Sequence, residues 1–270
     1  MSSDITITSG RAQLAVEIHG AGNPVVLLHA GVADRRMWRP LLQRIGAKHQ
    51  MIAYDRRGFG GTRAEPEDFS SVADLMAVMD HFATGAPAIL IGCSQGGRVA
   101  IDAALRHPSR VKALVLIGPA VSGAPPATYD VETRSLMDAL EVAEAAGDLD
   151  RANVIEAHIW LDGPLQREGR VGGATRRLFL DMNGLALQSP LVGYDLDSEA
   201  AFDRLGEITV PTLLVCGAFD MPHIQDRCQH MAQVIPNAAL HMDPAAAHLP
   251  SVEHPTDLAL MVSSFIARLP

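Results

Sequence analysis

Gly92-Cys93-Ser94-Gln95-Gly96 sets a serine between glycines, directly after the apolar run AILIG and directly before QGGRVAIDAALRHP, which has helical spacing. Alone, such a G-x-S-x-G pentapeptide is a weak signal, because small residues recur by chance. Between a strand and a helix it describes a nucleophile elbow. The glycines permit the sharp turn, the Ser94 hydroxyl stands clear of the sheet, and the Gln95 N–H at the helix start points at developing negative charge. The competing reading is a Gly-rich turn with an incidental serine.

A serine hydroxyl needs an adjacent base at neutral pH, and eleven histidines are available. His248, in AAAHLPSVEHP, lies five residues beyond the last apolar run, AALHMD (238–243). That is the carboxyl edge where open α/β sheets build their sites. His241 falls inside that run and reads as packed; His107, His230 and His254 read as solvated positions at helix ends or turns. Asp220, in LLVCGAFD, supplies a carboxylate just past a strand and between Ser94 and His248 in the chain. Its competing role is a helix N-cap. The strand ending at Ile117 leads into Gly118-Pro119 and offers no acid. The order Ser–Asp–His is the one this type of elbow takes. A second oxyanion donor is expected from the Gly31 N–H, in the loop after VVLLH. His29 should brace that loop rather than act as a base. Cys93 should turn away from Ser94 into the core, and Arg98 should be a surface or ion-paired residue.

The elements that must hold these residues alternate between strand and helix. PVVLLHA (24–30), MIAYD (51–55), AILIG (88–92), VKALVLIG (111–118), VPTLLVCGAFD (210–220) and AALHMD (238–243) are apolar runs of the kind buried on both faces of a sheet. Helical patterns fall between them, which implies parallel pairing with right-handed crossovers. The alternation lapses after Pro119. Residues 121–203 carry three helical patterns instead: 130–147 with Asp130 as cap and Gly147 as stop, ANVIEAHIWL, and ATRRLFLDMNGLAL. The expected organisation is an α/β core, 1–120 and 204–270, with a helical cap inserted at 121–203.

A chain of 270 residues, 48% hydrophobic and 20% charged, can bury this core without disulfides or metals. Three scattered cysteines, Cys93, Cys216 and Cys228, fit a reducing compartment, and the N-terminus shows no secretory pattern, so the cytoplasm is expected. No run approaches the ~20 apolar residues of a membrane span. A net charge of −9 argues against a nucleic-acid partner. Neither metal-ligand spacing nor a dinucleotide-binding glycine pattern is present, so no metal and no cofactor are expected. Residues 121–203 hold 15 Asp plus Glu against six Arg and no Lys. If that surface borders the entrance it should favour a neutral substrate. An inward Arg35, Arg36 or Arg98 would reverse the preference.

HAGVADRRMW, YDRRGFGGT, GCSQGG, GAFD and AAAHLPSVEHP, in this order, resemble the α/β-hydrolase family, specifically its small capped esterases, lactonases and cofactor-free perhydrolases. The resemblance implies a triad of Ser94, Asp220 and His248 and oxyanion amides at Gly31 and Gln95. His29-Ala30 departs from the family's usual His-Gly but leaves both amides in place. Serine at 94 excludes the aspartate nucleophile of dehalogenases with this fold, and the glycine-rich loop of its carbon–carbon bond hydrolases is absent. The expected activity is hydrolysis of a small, neutral carboxylic ester or lactone through an acyl-enzyme. Thioester cleavage and perhydrolysis use the same machinery and stay open. So does a ligand receptor that keeps the triad but turns over slowly. Trp160, Leu161, Phe179, Leu180 and Met182 are the candidate apolar lid of the pocket.

Overall fold

A computed structural model describes residues 3–83 and 85–269. The chain opens with β1 (Ser3–Ser9) and β2 (Ala12–His19), an antiparallel hairpin closed by Gly10-Arg11 with Gly10 at φ +53°. Neither strand was expected from the sequence. Their apolar residues alternate with Thr, Gln and Glu, as in a half-exposed edge, and form no continuous run.

Six strands follow in parallel: β3 (Asn23–Leu28), β4 (His49–Tyr54), then, after the two-residue β5 (Arg63–Ala64) that pairs with β2, β6 (Ala88–Cys93), β7 (Val111–Ile117), β8 (Thr212–Gly217) and β9 (Ala238–Asp243). The sheet order is β1-β2-β4-β3-β6-β7-β8-β9; β2 joins β4 antiparallel, and every pairing from β4 to β9 is parallel. This is the mostly parallel, helix-flanked sheet that the alternation of apolar runs and helical patterns implied.

Alternate residues of each central strand feed opposite faces. In β6, Ala88 and Leu90 join one core with helices α2 (Ser71–Ala83) and α3 (Gln95–Arg106), whereas Ile89, Ile91 and Cys93 join the other, under α1 (Arg39–Ile45). Cys93 therefore turns from Ser94 as its place in the strand requires.

Between β7 and β8 lie α4 (Val131–Ala145), α5 (Leu149–Glu156), α6 (Gly173–Leu187) and the short α7 (Ala201–Arg204). Asp130 caps α4, accepting the Thr133 N–H at 2.7 Å, and Asp148 caps α5, accepting the Arg151 N–H at 3.0 Å. Helix α5 runs into a π-helical segment, Ala157–Asp162, where a continuous α-helix was expected. Leu140, Ala152, Ile155 and Ile159 pack on Ile224 and Cys228 of α8 (Pro222–Val234). The chain closes with α9 (Pro250–Glu253) and α10 (Pro255–Ile266), the latter on the α1 face. His241 in the edge strand β9 is exposed, not packed as its apolar neighbours suggested.

Candidate active site

Ser94 is the turn residue between β6 and α3. Its backbone stands at φ 52°, ψ −117°, the one positive φ outside glycine among the described residues. Steric room around it is minimal. A Cβ on Gly92 would lie 2.5 Å from the Gly96 carbonyl oxygen, and one on Gly96 would lie 2.2 Å from that of Leu28. Hydrogen bonds lock the turn: the Ser94 N–H donates to Ile117 O at 2.9 Å, and Ser94 O accepts from Arg98 and Ala120 at 3.1 and 3.0 Å. The side chain is half-buried and faces a cavity of about 330 Å³.

His248 and Asp220 enter from neighbouring strand ends. Asp220 follows β8 through a turn closed by its N–H on Gly217 O at 3.2 Å. One carboxylate oxygen accepts the Met221 N–H at 2.8 Å; the other lies 2.7 Å from His248 Nδ1. Both side chains are buried, at 3% and 2% exposure. His248 Nε2 is buried and has no hydrogen-bond partner among the described residues, while the ring lines the same cavity as Ser94. No hydrogen bond joins Ser94 to His248 among the described residues. Gly118, past the end of β7, explains why no acid could stand there: a Cβ would lie 3.0 Å from both Asp220 Oδ2 and His248 Nδ1. Asp243 is occupied with His254 at 3.1 Å, and Asp226 is exposed on α8.

The loop bearing His248 is pinned by residues the sequence did not single out. Glu253, buried beneath it, accepts the Ala247 N–H at 3.0 and 3.1 Å and the Leu249 N–H at 3.3 Å. Arg170, from the segment before α6, pairs with Glu253, donates to Leu161 O and Asp162 O, and stacks over Phe219, next to Asp220. The π-helical segment adds Trp160, whose carbonyl accepts the His248 N–H at 3.2 Å and whose ring lies 4.8 Å from the imidazole. Of the five candidate lid residues, Trp160 alone lines the cavity; Leu161, Phe179 and Met182 are buried against the core, with Leu180 partly buried beside them.

Gly31 and Gln95 also line the cavity. The Gln95 side chain lies against Gly31, so close that a Cβ there would meet Nε2 at 2.7 Å. Arg56 fixes it, both terminal nitrogens donating to Gln95 Oε1 at 3.2 Å. This guanidinium is buried, has no carboxylate within ion-pair distance among the described residues, and sits over the Phe59 ring; burial lowers its pKa to about 10. His29 braces the loop from below. Its Nδ1 lies 2.7 Å from Ala30 O, and its Nε2 accepts the Arg56 N–H at 3.0 Å. Burial and the Arg56 charge hold its pKa well below 6.5, so the ring is neutral. The Cys93 thiol is pushed well above its ordinary range by burial and by Asp220, which leaves no thiolate there.

Glu156, His223 and Arg227 complete the polar lining, and sequence reasoning missed all three. The findable signal was the i, i+4 spacing of His223 and Arg227 on the helix just after Asp220. Arg35, Arg36 and Arg98 do not line the cavity: they pair with Asp55, Asp34 and Asp181, and Asp102 and Asp195. Those pairs also weaken the argument for a neutral substrate, because acids of 121–203 are spent on arginines of the core. Among the described residues no cluster of three or more His, Cys, Asp or Glu could hold a metal ion.

The serine stands at a strained strand-to-helix turn and shares one cavity with a buried Asp–His pair. The chain belongs to the Alpha/beta hydrolase family, which residues 25–259 match. It is 28% identical to the pimeloyl-[acyl-carrier protein] methyl ester esterase of Chromobacterium violaceum, over 90% of this chain and 94% of that protein. In fold it is similar to an esterase of Exiguobacterium antarcticum, with a TM-score of 0.79, 21% identity, and coverage of 99% and 100% of the two chains. The enol-lactonase of Burkholderia xenovorans LB400 superposes with a TM-score of 0.75 at 20% identity, covering 97% of this chain and 100% of that one.

Proposed function

We propose that this protein hydrolyses a carboxylic ester or lactone through an acyl-enzyme on Ser94. The observation that carries the reading is the His248 ring: one nitrogen on the Asp220 carboxylate, the other unpartnered and buried at the cavity that Ser94 faces. Asp220 accepts the Nδ1 proton and so leaves Nε2 as the basic lone pair. Substrate binding would bring the Ser94 hydroxyl into line with it, since such contacts are often loose before substrate arrives. Oγ attacks the carbonyl carbon as its proton passes to Nε2, and the oxyanion takes the Gly31 and Gln95 N–H groups. The buried Arg56 cation behind Gln95 adds to that field. Collapse expels the alkoxide, which takes the Nε2 proton; in a lactone it stays tethered to the acyl group. Water then repeats the attack on the acyl-enzyme, and Ser94 is regenerated.

The helices between β7 and β8 form the lid in this reading, with Trp160 over the imidazole. The esterase and lactonase named among the similar proteins support the reaction class.

Turnover of p-nitrophenyl butyrate tests the reading. Wild-type protein should complete many cycles, and Ser94→Ala should lose on the order of 10⁴- to 10⁶-fold in kcat. A burst equal to the protein concentration with no later turnover would make it a receptor, and an active alanine variant would remove Ser94 from the mechanism.

A further inference from the structure

His223, Arg227 and His230 recur at i, i+4 and i+7, so α8 turns one polar stripe to one side. That stripe separates two cavities. His223 and Arg227 line both the cavity at Ser94 and a neighbouring one of about 230 Å³, which continues past Arg227 along Pro125, Pro126 and Phe202.

Among the described residues Arg227 is neither ion-paired nor, as Arg56 is, bonded through both terminal nitrogens to a side chain. Arg35, Arg36, Arg98, Arg170 and Arg176 each rest on a carboxylate. Arg227 has none within ion-pair distance among the described residues, and its contact is one N–H to Pro119 O at 3.3 Å. It is half-buried, and burial lowers its pKa from the ordinary 12.5. A guanidinium presents five donors in a planar fork, most of which remain unspent here. His223 supplies a second unspent group: its Nδ1 is buried with no hydrogen-bond partner among the described residues, while its ring is set edge-on against Tyr129 at 5.6 Å. Buried polar atoms left unpaired are costly, and a ligand group that pairs them recovers that cost.

We infer that Arg227 and His223 receive a carboxylate of the substrate, so that the ester or lactone cleaved at Ser94 carries a second, anionic carboxyl group. This rests on the hydrolase reading and names its substrate class. The guanidinium grips the carboxylate with paired N–H donors, and the neutral His223 ring adds its Nδ1–H. Glu156, across the same cavity on α5, accepts from Asn183 Nδ2 at 2.5 Å, and burial raises its pKa. The anionic end is thereby directed to α8 and the apolar part to Trp160 and Val32.

Two esters of equal chain length test this: p-nitrophenyl hexanoate and mono-p-nitrophenyl adipate. The ratio of kcat/KM, adipate over hexanoate, should fall about 10- to 100-fold in Arg227→Gln and less in Arg227→Lys, which keeps the charge but loses the fork. An unchanged ratio, including equal losses on both esters, would overturn the inference and leave Arg227 a structural tether of Pro119. Calorimetry on Ser94→Ala separates the two claims. Monomethyl adipate should bind about tenfold or more tightly than methyl hexanoate, and Arg227→Gln in that background should erase the difference. If wild type cleaves neither p-nitrophenyl ester, the hydrolase reading fails while the calorimetry still decides the carboxylate site. Equal binding of the two methyl esters sinks the site.

Discussion

Holding a serine at φ 52° costs about 1–3 kcal/mol, and such strain persists only where the surroundings over-determine it. Here the determinants are the clashes that forbid side chains at Gly92 and Gly96 and the three backbone bonds of Ser94. His29 is over-determined in a different way. Both ring nitrogens are engaged, and a proton on Nε2 would expel the Arg56 N–H. Its folded pKa lies well below 6.5, so below that pH the unfolded chain takes up a proton that the folded chain refuses. The stability it confers is therefore full above 6.5 and is lost as the pH falls beneath it. Urea unfolding at pH 7.5 and 5.5 should show a steeper loss in wild type than in His29→Gln, which is less stable at pH 7.5; equal slopes would remove His29 from the acid sensitivity. The strand–serine–helix arrangement was legible because all its determinants are local in sequence. Arg56, Glu253 and Arg227 were not, because their partners lie in other elements and a lone charged residue carries no pattern.

Elements were legible where they are buried on both faces. The hairpin β1–β2 escaped because half of each strand faces solvent, and the π-helical segment escaped because its residues keep an amphipathic helical pattern while the backbone widens by one residue. That segment and the residues after it join the helices between β7 and β8 to the loop bearing His248, with Arg170 as the bridge. Glu253 in that pair is 1% exposed, and burial raises its pKa, so it depends on the guanidinium. Arg170→Met should lower stability by about 3 kcal/mol through the stranded carboxylate. Adding Glu253→Gln should recover part of the loss. A change under about 0.5 kcal/mol in the single variant, by denaturant unfolding, would mean that Arg170 does not couple those helices to the loop.

Over the whole molecule, charge could be counted from the sequence but not placed. Residues 121–203 carry the net −9, yet Asp181, Asp195 and Asp197 are held by Arg36, Arg98 and Arg106 of the core, and Asp195 and Asp197 also accept from Ser71, Ser70 and the Val72 N–H. Those acids fasten the segment down, and the inference centred on Arg227 sets an anionic substrate against the expectation of a neutral one. No helix of the described residues is long and apolar enough to cross a membrane. The central claim concerns one covalent bond, and mass spectrometry reads it directly. Acid-quenching the protein within milliseconds of mixing with p-nitrophenyl hexanoate, then mapping peptides, should find one hexanoyl group on Ser94 in the Gly92–Gly96 peptide, absent from Ser94→Ala. An acyl group on any other residue, or full turnover with no acylated Ser94 at any quench time, would contradict the account.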